Sequence, residues 1–239
     1  MKKNKNTKNN NNEKCVPEAF LPPQKEDFRN TVYWRIFRIM AEFIEGFQFI
    51  ADVRKSVAFF GSARIDEKNK YYQKAKELAF RLSKSGYSIV TGGGPGIMRA
   101  ANEGAYMAKG DSIGLNIQLP KEQVVNKFVK KAIGFHYFFV RKVMFSFASD
   151  IYVFFPGGYG TLDEFFEMIT LVQTNKRPGP VTIIVFGKDY WSGLIEWIDK
   201  KVLKEYKAIS PEDLKIFKLV DSVDEAFKII KEAKYKYDF

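Results

Sequence analysis

The chain has 239 residues, of which 46% are hydrophobic and 28% charged; these ordinary globular values argue against wholesale disorder or a membrane protein and leave room for one α/β domain with a real core, although length alone also admits two small domains. The formal charge of +11 divides into +4 in residues 1–14, where Lys2, Lys3, Lys5, Lys8 and Lys14 stand against Glu13, and a remainder of +7 that is spread rather than blocked. Such a field attracts a phosphorylated metabolite as readily as a nucleic acid, and no nucleic-acid partner is read from it. Cys15 is the only cysteine and His136 the only histidine, so a disulfide framework, a cysteine-rich zinc site and the usual Ser-His and multi-histidine chemistries are excluded. Chemistry must rest on carboxylates and arginine, no metal is expected, and a reducing compartment, the cytoplasm, fits best.

Residues 1–15 are a polar tail rich in lysine and asparagine, without the apolar run of a secretory signal, and are expected to be disordered. Residues 16–55 follow as a linker marked by Pro17, Pro22 and Pro23, then an amphipathic helix in which Val32, Ile36, Ile39, Met40, Phe43, Phe47 and Ile50 recur at three- and four-residue spacing. Arg35, Arg38, Glu42 and Glu45 interrupt it too often for a membrane span. Its aromatic face, with Tyr33, Trp34, Phe37 and Phe49, wants a partner surface in the same domain or in a second subunit.

From 56 to 239 the pattern is a single α/β domain. Strands are predicted at Val57–Phe60, Tyr87–Val90, Ser112–Ile117, Ile151–Phe155 and Val181–Phe186, and helices at Tyr71–Ser83, Gly96–Ala108, Val140–Ala148 and Leu162–Thr174. Tyr190–Tyr206 and Val223–Tyr235 read as covering helices, while Leu119–Tyr137 reads clearly as neither strand nor helix. The alternation predicts a doubly wound parallel sheet with helices on both faces, plus the N-terminal helical extension.

Three glycine-bearing turns each follow a strand: Gly61-Ser62, Gly92-Gly93-Gly94-Pro95-Gly96 and Pro156-Gly157-Gly158-Tyr159-Gly160-Thr161. In open α/β sheets ligands gather at the carboxyl edge, where helix N-termini offer free N–H groups to an anion and glycine lets the backbone approach phosphate oxygens closely. Neither long cluster has the G-x-G-x-x-G or G-x-x-x-x-G-K spacing, and Thr91 rather than an acid ends the second strand, which argues against NAD binding and ATP hydrolysis.

Glu164 follows the last turn closely and is expected in the first turn of the next helix, held ionised by the helix end, where it could stabilise an oxocarbenium-like transition state or activate water. Complementing the helix dipole is the plainer role for it, and Glu167 lies one turn further on the same face. Arg141 and Lys142 open another helix against its dipole, which suggests contact with a phosphate or a leaving base, or else a surface salt bridge. His136, flanked by aromatics, reads as structural.

The segment Pro156-Gly157-Gly158-Tyr159-Gly160-Thr161-Leu162-Asp163-Glu164 resembles the P-G-G-x-G-T-x-x-E signature of the Lonely Guy phosphoribohydrolases, which are often labelled lysine decarboxylases. Gly92–Met98 is similar to that family's G-G-G-x-x-G-[IL]-M cluster with Gly96 one place early, and Arg141-Lys142 resembles its arginine-lysine pair. The resemblance spans roughly Ser56 to Gly187. It implies a Rossmann-like fold and hydrolysis of the N-glycosidic bond of a nucleoside 5′-monophosphate, to free base and ribose 5-phosphate, with no cofactor. It further implies Arg141 and Glu164 as the catalytic pair. Lys142, Gly157, Gly158, Tyr159, Gly160, Thr161, Leu162, Asp163 and Thr170 would hold substrate, with Gly93, Gly94, Gly96 and Met98 from the second cluster.

A homodimer, usual in the family, or a higher homo-oligomer would suit the helix at Val32–Ile50. The 55 residues before the first strand are an addition to the plant-like pattern, and Phe138-Phe139-Val140 replaces its polar residues. The base therefore stays open among cytokinin nucleotides, adenosine monophosphate and other nucleotides. The competing readings are a non-catalytic nucleotide-binding or carrier module of the same fold and pyridoxal-dependent decarboxylation, for which no cofactor-lysine motif is recognisable.

Overall fold

A computed structural model describes residues 28–118, 125–177 and 179–234. The predicted tail, much of the linker and the end of the last predicted helix lie outside the described residues. The described residues fall into two units, divided between Arg38 and Ile39. In the first, a 3₁₀ turn at Phe28–Asn30 precedes the start of helix α1 (Val32–Ile50), and the Phe28 ring meets Trp34 edge-on at 5.2 Å. Among the described residues no helix is long and apolar enough to cross a membrane.

The second unit is built on a seven-stranded, wholly parallel sheet of order β4-β3-β2-β1-β5-β6-β7. Its strands are β1 (Ser56–Phe60), β2 (Ser88–Thr91), β3 (Ser112–Ile117), β4 (Lys131–Phe135), β5 (Ile151–Phe154), β6 (Thr182–Phe186) and β7 (Phe217–Val220). Every residue of β1, β2 and β5 is buried, as expected of central parallel strands covered on both faces, and such strands read as unbroken apolar runs. Alternate side chains serve opposite layers. Val57 and Phe59 pack with α2 (Lys70–Lys84), α3 (Ile97–Met107) and α7 (Val223–Glu232). Ala58 and Phe60 pack with Ile50 of α1 and with α4 (Phe138–Ala148), α5 (Tyr159–Gln173) and α6 (Lys188–Trp197).

Two strands were not legible beforehand. β4 is an edge strand whose Lys131, Ala132 and Gly134 are exposed, so it has no continuous apolar run and lies within the stretch that reads as neither strand nor helix. β7, on the opposite edge, exposes Lys218. The single helix expected at Tyr190–Tyr206 is two segments, α6 and a π-helix over Ile198–Glu205. Local chemistry sets other boundaries: Asn69 accepts from the Tyr71 N–H at 2.8 Å and starts α2, and Ser222 accepts from the Glu225 N–H at 3.2 Å and starts α7.

The part of α1 within this unit braces α4. Glu42 accepts from the backbone N–H groups of His136 and Tyr137, each at 3.1 Å, and so places a carboxylate at the N-terminus of α4. Gly46 allows the close approach, because a Cβ there would stand 2.6 Å from the Met144 sulfur. After β1 the chain runs outward through β2, β3 and β4, then returns to lay β5 on the other side of β1. The crevice over β1 and β5 is the switch point where such sheets bind ligands.

Candidate active site at the carboxyl edge

All three glycine turns meet at this edge and are tied together by backbone hydrogen bonds. Ser62 N–H donates to Pro156 O at 2.9 Å, and Ile97 N–H donates to Ser62 O at 3.1 Å. Gly96, with φ 67°, makes the second contact sterically feasible, since a Cβ there would fall 2.1 Å from Ser62 O. The turn after β2 is further held by a buried polar network. Thr91 Oγ1 donates to Asn102 Oδ1 at 2.7 Å and accepts from Gly93 N–H at 2.9 Å. The Asn126 amide donates to Asn102 Oδ1, Gly93 O and Gly94 O at 2.9, 3.1 and 3.0 Å.

The turn after β5 is built differently. Gly158 precedes α5 without a side-chain cap, leaving the N–H groups of the first turn as free donors. A Cβ at Gly158 or Gly160 would meet nothing within 4 Å. Thr161 is buried against Gly157, and the Tyr190 hydroxyl donates to Gly157 O at 2.6 Å.

Glu164 lies in the second turn of α5, not the first turn expected from sequence, because the helix already begins at Tyr159. It is buried, and a guanidinium nitrogen of Arg141 stands 3.9 Å from its carboxylate. Burial raises its pKa to about 7, with Glu167 and Asp163 pushing the same way and Arg141 and Lys142 opposing. The expectation that the helix end holds it ionised is therefore corrected: desolvation outweighs the dipole at this depth. Burial likewise lowers the pKa of Arg141, against the pull of Glu164, but a guanidinium remains the cation of such a pair. Arg141 Nε donates to Leu115 O at 2.8 Å and the group lies 5.1 Å from the Phe145 ring centre, so its orientation is set by β3 and α4.

The two predicted cations part company. Arg141 turns inward, whereas Lys142 binds Asp163 at 2.9 Å and Glu167 at 3.3 Å. Beside Arg141 opens a cavity of about 970 Å³ whose lining includes Gly92, Gly94, Met98, Asn116, Gln118 and Arg141.

Of the residues singled out from sequence, Gly94, Met98 and Arg141 line this cavity. Gly157 to Thr161 form the adjoining turn and helix start, with Tyr159 93% exposed. Gly93 adopts φ 71° and its carbonyl accepts from Asn126. Four others point elsewhere: Gly96 packs on backbone, Leu162 packs on the core, Asp163 is held by Lys142, and Thr170 is exposed with its hydroxyl donating to Phe166 O at 2.7 Å. Asn116, Gln118 and Asn126 were missed. The polar alternation at the end of β3 was the available signal for the first two, and Asn126 sits in the stretch that sequence left unread. Among the described residues no group of three His, Cys, Asp or Glu side chains is placed to hold a metal ion.

The profile of the family described as "Possible lysine decarboxylase" matches residues 98–230, more than half of the chain. The chain belongs to this family, the Lonely Guy family. Among its relatives is a protein of Oryza sativa subsp. japonica named "Probable cytokinin riboside 5′-monophosphate phosphoribohydrolase", 30% identical over 192 residues that make up 77% of this chain and 73% of that one. A cytokinin riboside 5′-monophosphate phosphoribohydrolase of Arabidopsis thaliana is 29% identical over 188 residues, 75% of this chain and 82% of its own.

The structure of a molybdenum cofactor binding protein from the phototrophic bacterium Rippkaea orientalis superposes with a TM-score of 0.54 at 22% identity, covering 75% of this chain and 98% of that one. That likeness concerns the fold, which is Rossmann-like. In this Lonely Guy chain the signature segment Pro156–Glu164 leaves β5, forms the open turn and carries the buried carboxylate in the helix that follows.

Proposed function

We propose that the chain hydrolyses the N-glycosidic bond of a nucleoside 5′-monophosphate, releasing free base and ribose 5-phosphate. The observation that carries this reading is the buried Glu164–Arg141 pair, 3.9 Å apart, between an uncapped helix start and a large cavity. The 5′-phosphate rests on the free N–H groups at Gly158–Thr161, where backbone dipoles favour an anion. The sugar then presents C1′ to Glu164. As the bond to the base lengthens, the ionised carboxylate faces the positive charge growing on the ring and takes a proton from water. The water's hydroxyl joins C1′, and the proton ends on the departing base nitrogen. Arg141 orients the base and keeps the pKa of Glu164 from rising further.

The names of the plant relatives support this substrate class, and the chemistry needs only groups this chain possesses. The protein acts as a homodimer in the cytoplasm, with the exposed Met40 and Ile44 of α1 and Phe138 and Phe139 of α4 covered by a second copy. A carrier function is the second reading, favoured by the fold-level likeness to a molybdenum cofactor binding protein, but a carrier has no need of a buried carboxylate beside a guanidinium. Purified protein incubated with a panel of nucleoside monophosphates should release free base, detected by chromatography, and Glu164→Gln should abolish the release. Undiminished turnover by that variant, or a bound nucleotide recovered intact from the unmodified protein, overturns the assignment.

A further inference from the structure

We infer that the carboxamide of Asn116, with Gln118 beside it, reads the hydrogen-bonding edge of the base; the inference rests on the nucleotide reading above and adds the group that selects among nucleotides. Asn116 and Gln118 stand two residues apart at the carboxyl end of β3, so their side chains leave the strand on the same face, and both line the cavity that Arg141 borders. Gln118 is held in register because its N–H donates to Phe135 O at 2.7 Å.

The position of Asn116 is made by glycines. A Cβ on Gly93 would stand 2.5 Å from its Oδ1 and 2.6 Å from its Nδ2, and one on Gly114 would stand 2.9 Å from Oδ1. Yet among the described residues the buried Oδ1 has no hydrogen-bond partner. Its neighbours behave differently. Asn102 and Asn126, in the same layer, spend their amides on Ser112, on each other and on the glycine carbonyls. A buried acceptor left unpaired weakens a fold, and an apolar side chain of the same size would fill this space without that penalty. The arrangement is accounted for by a ligand that supplies the missing donor.

A carboxamide presents an acceptor and a donor side by side, the complement of a base edge on which an amino group adjoins a ring nitrogen. Met98, Ile117 and Ile133 add apolar surface to the same cavity, which suits a flat ring. Arg141 connects this cavity to Glu164, so a base held by Asn116 lies next to the pair proposed to break its bond to the sugar. The substrate class is thereby narrowed to nucleotides whose base carries an exocyclic amino group, as adenine and cytosine do.

The test is calorimetric binding in a Glu164→Gln background, where turnover does not interfere. The probes are adenosine and cytidine monophosphates, the corresponding nucleotides lacking the amino group, and ribose 5-phosphate as the ligand without a base. With Asn116 present, at least one amino-bearing nucleotide should bind about tenfold or more tightly than its deamino counterpart. Asn116→Leu should bring that ratio to about one while ribose 5-phosphate binds as before, and Asn116→Asp, which keeps the acceptor, should restore part of the ratio.

An unchanged ratio in Asn116→Leu overturns the inference. So does an equal loss for ribose 5-phosphate, which would mean that the side chain only supports the glycine turn, and so does failure of every nucleotide to bind. Asn116-dependent selection by a protein that releases no base in its unmodified form would leave this inference standing and remove the hydrolase reading alone.

Discussion

The two long glycine turns at the carboxyl edge look alike in sequence and differ in what surrounds them. Around Gly92–Gly96 the space that a side chain would need is already taken: backbone of the first turn crowds Gly96, the Asn116 amide crowds Gly93, and Met98 crowds Gly94. Three asparagine and threonine side chains hold this turn from below. Around Gly158 and Gly160 the space is open. Glycine is thus required in the first turn, and at Gly157 of the second, by the protein's own packing, and at Gly158 and Gly160, on the proposed reading, by what comes to rest there. The same residue type answers two different demands, and only the neighbours distinguish them.

The largest effect should come from the carboxylate behind the open turn. Glu164→Gln is expected to lower kcat/KM by about a thousandfold, or roughly 4 kcal/mol on the barrier. In the unmodified enzyme kcat/KM should rise with pH through about 7 as Glu164 ionises. Stability should move the other way. A carboxyl whose pKa rises from 4.5 to about 7 on folding binds more protons in the native state between those values, so stability falls as pH rises across that window, by up to about 3 kcal/mol. Urea unfolding at pH 5 and pH 8 should show that slope, and Glu164→Gln should flatten it. A variant with an unchanged slope would mean that burial does not control this group.

Gly96→Ala tests the crowded turn. Its Cβ would fall 2.1 Å from a backbone oxygen at φ 67°, so a loss of about 3 kcal/mol or more is expected in thermal or urea unfolding. Gly158→Ala is the matched test of the open turn. Its φ of −96° suits any residue and nothing is in the way, so stability should stay within about 0.5 kcal/mol while kcat/KM falls about tenfold as the added methyl meets the phosphate. If both substitutions damaged folding equally, or neither touched activity, the contrast between the turns would collapse. Tyr190→Phe should have the smallest effect. Loss of its hydrogen bond to Gly157 O releases one peptide of the open turn and should raise KM several-fold, about 1 kcal/mol, with kcat nearly kept.

Legibility followed burial and regularity. The central strands were readable because both faces are covered and each residue must be apolar or small. The edge strands β4 and β7 were not, since Lys131 and Lys218 face water and interrupt the pattern. Glu164 stood out by following a glycine turn, and Arg141, which pairs with it, by opening a helix against its dipole. Lys142 was singled out for the same reason, yet it pairs with Asp163 and Glu167. Asn126 escaped notice because its partners are carbonyls 32 and 33 residues away in the chain, a relation with no local signature.

By itself the sequence determined the parallel α/β class, the three turns at one edge and the family, because strand periodicity, glycine spacing and a nine-residue signature are local properties. The tertiary structure decided which glycines are crowded and which are open, and it decided that the carboxylate titrates near neutrality. It also brought Asn116 to the cavity with a buried Oδ1 that, among the described residues, has no hydrogen-bond partner. Those outcomes depend on how much water and which atoms surround a group, and that environment is assembled from strands and helices far apart in the chain.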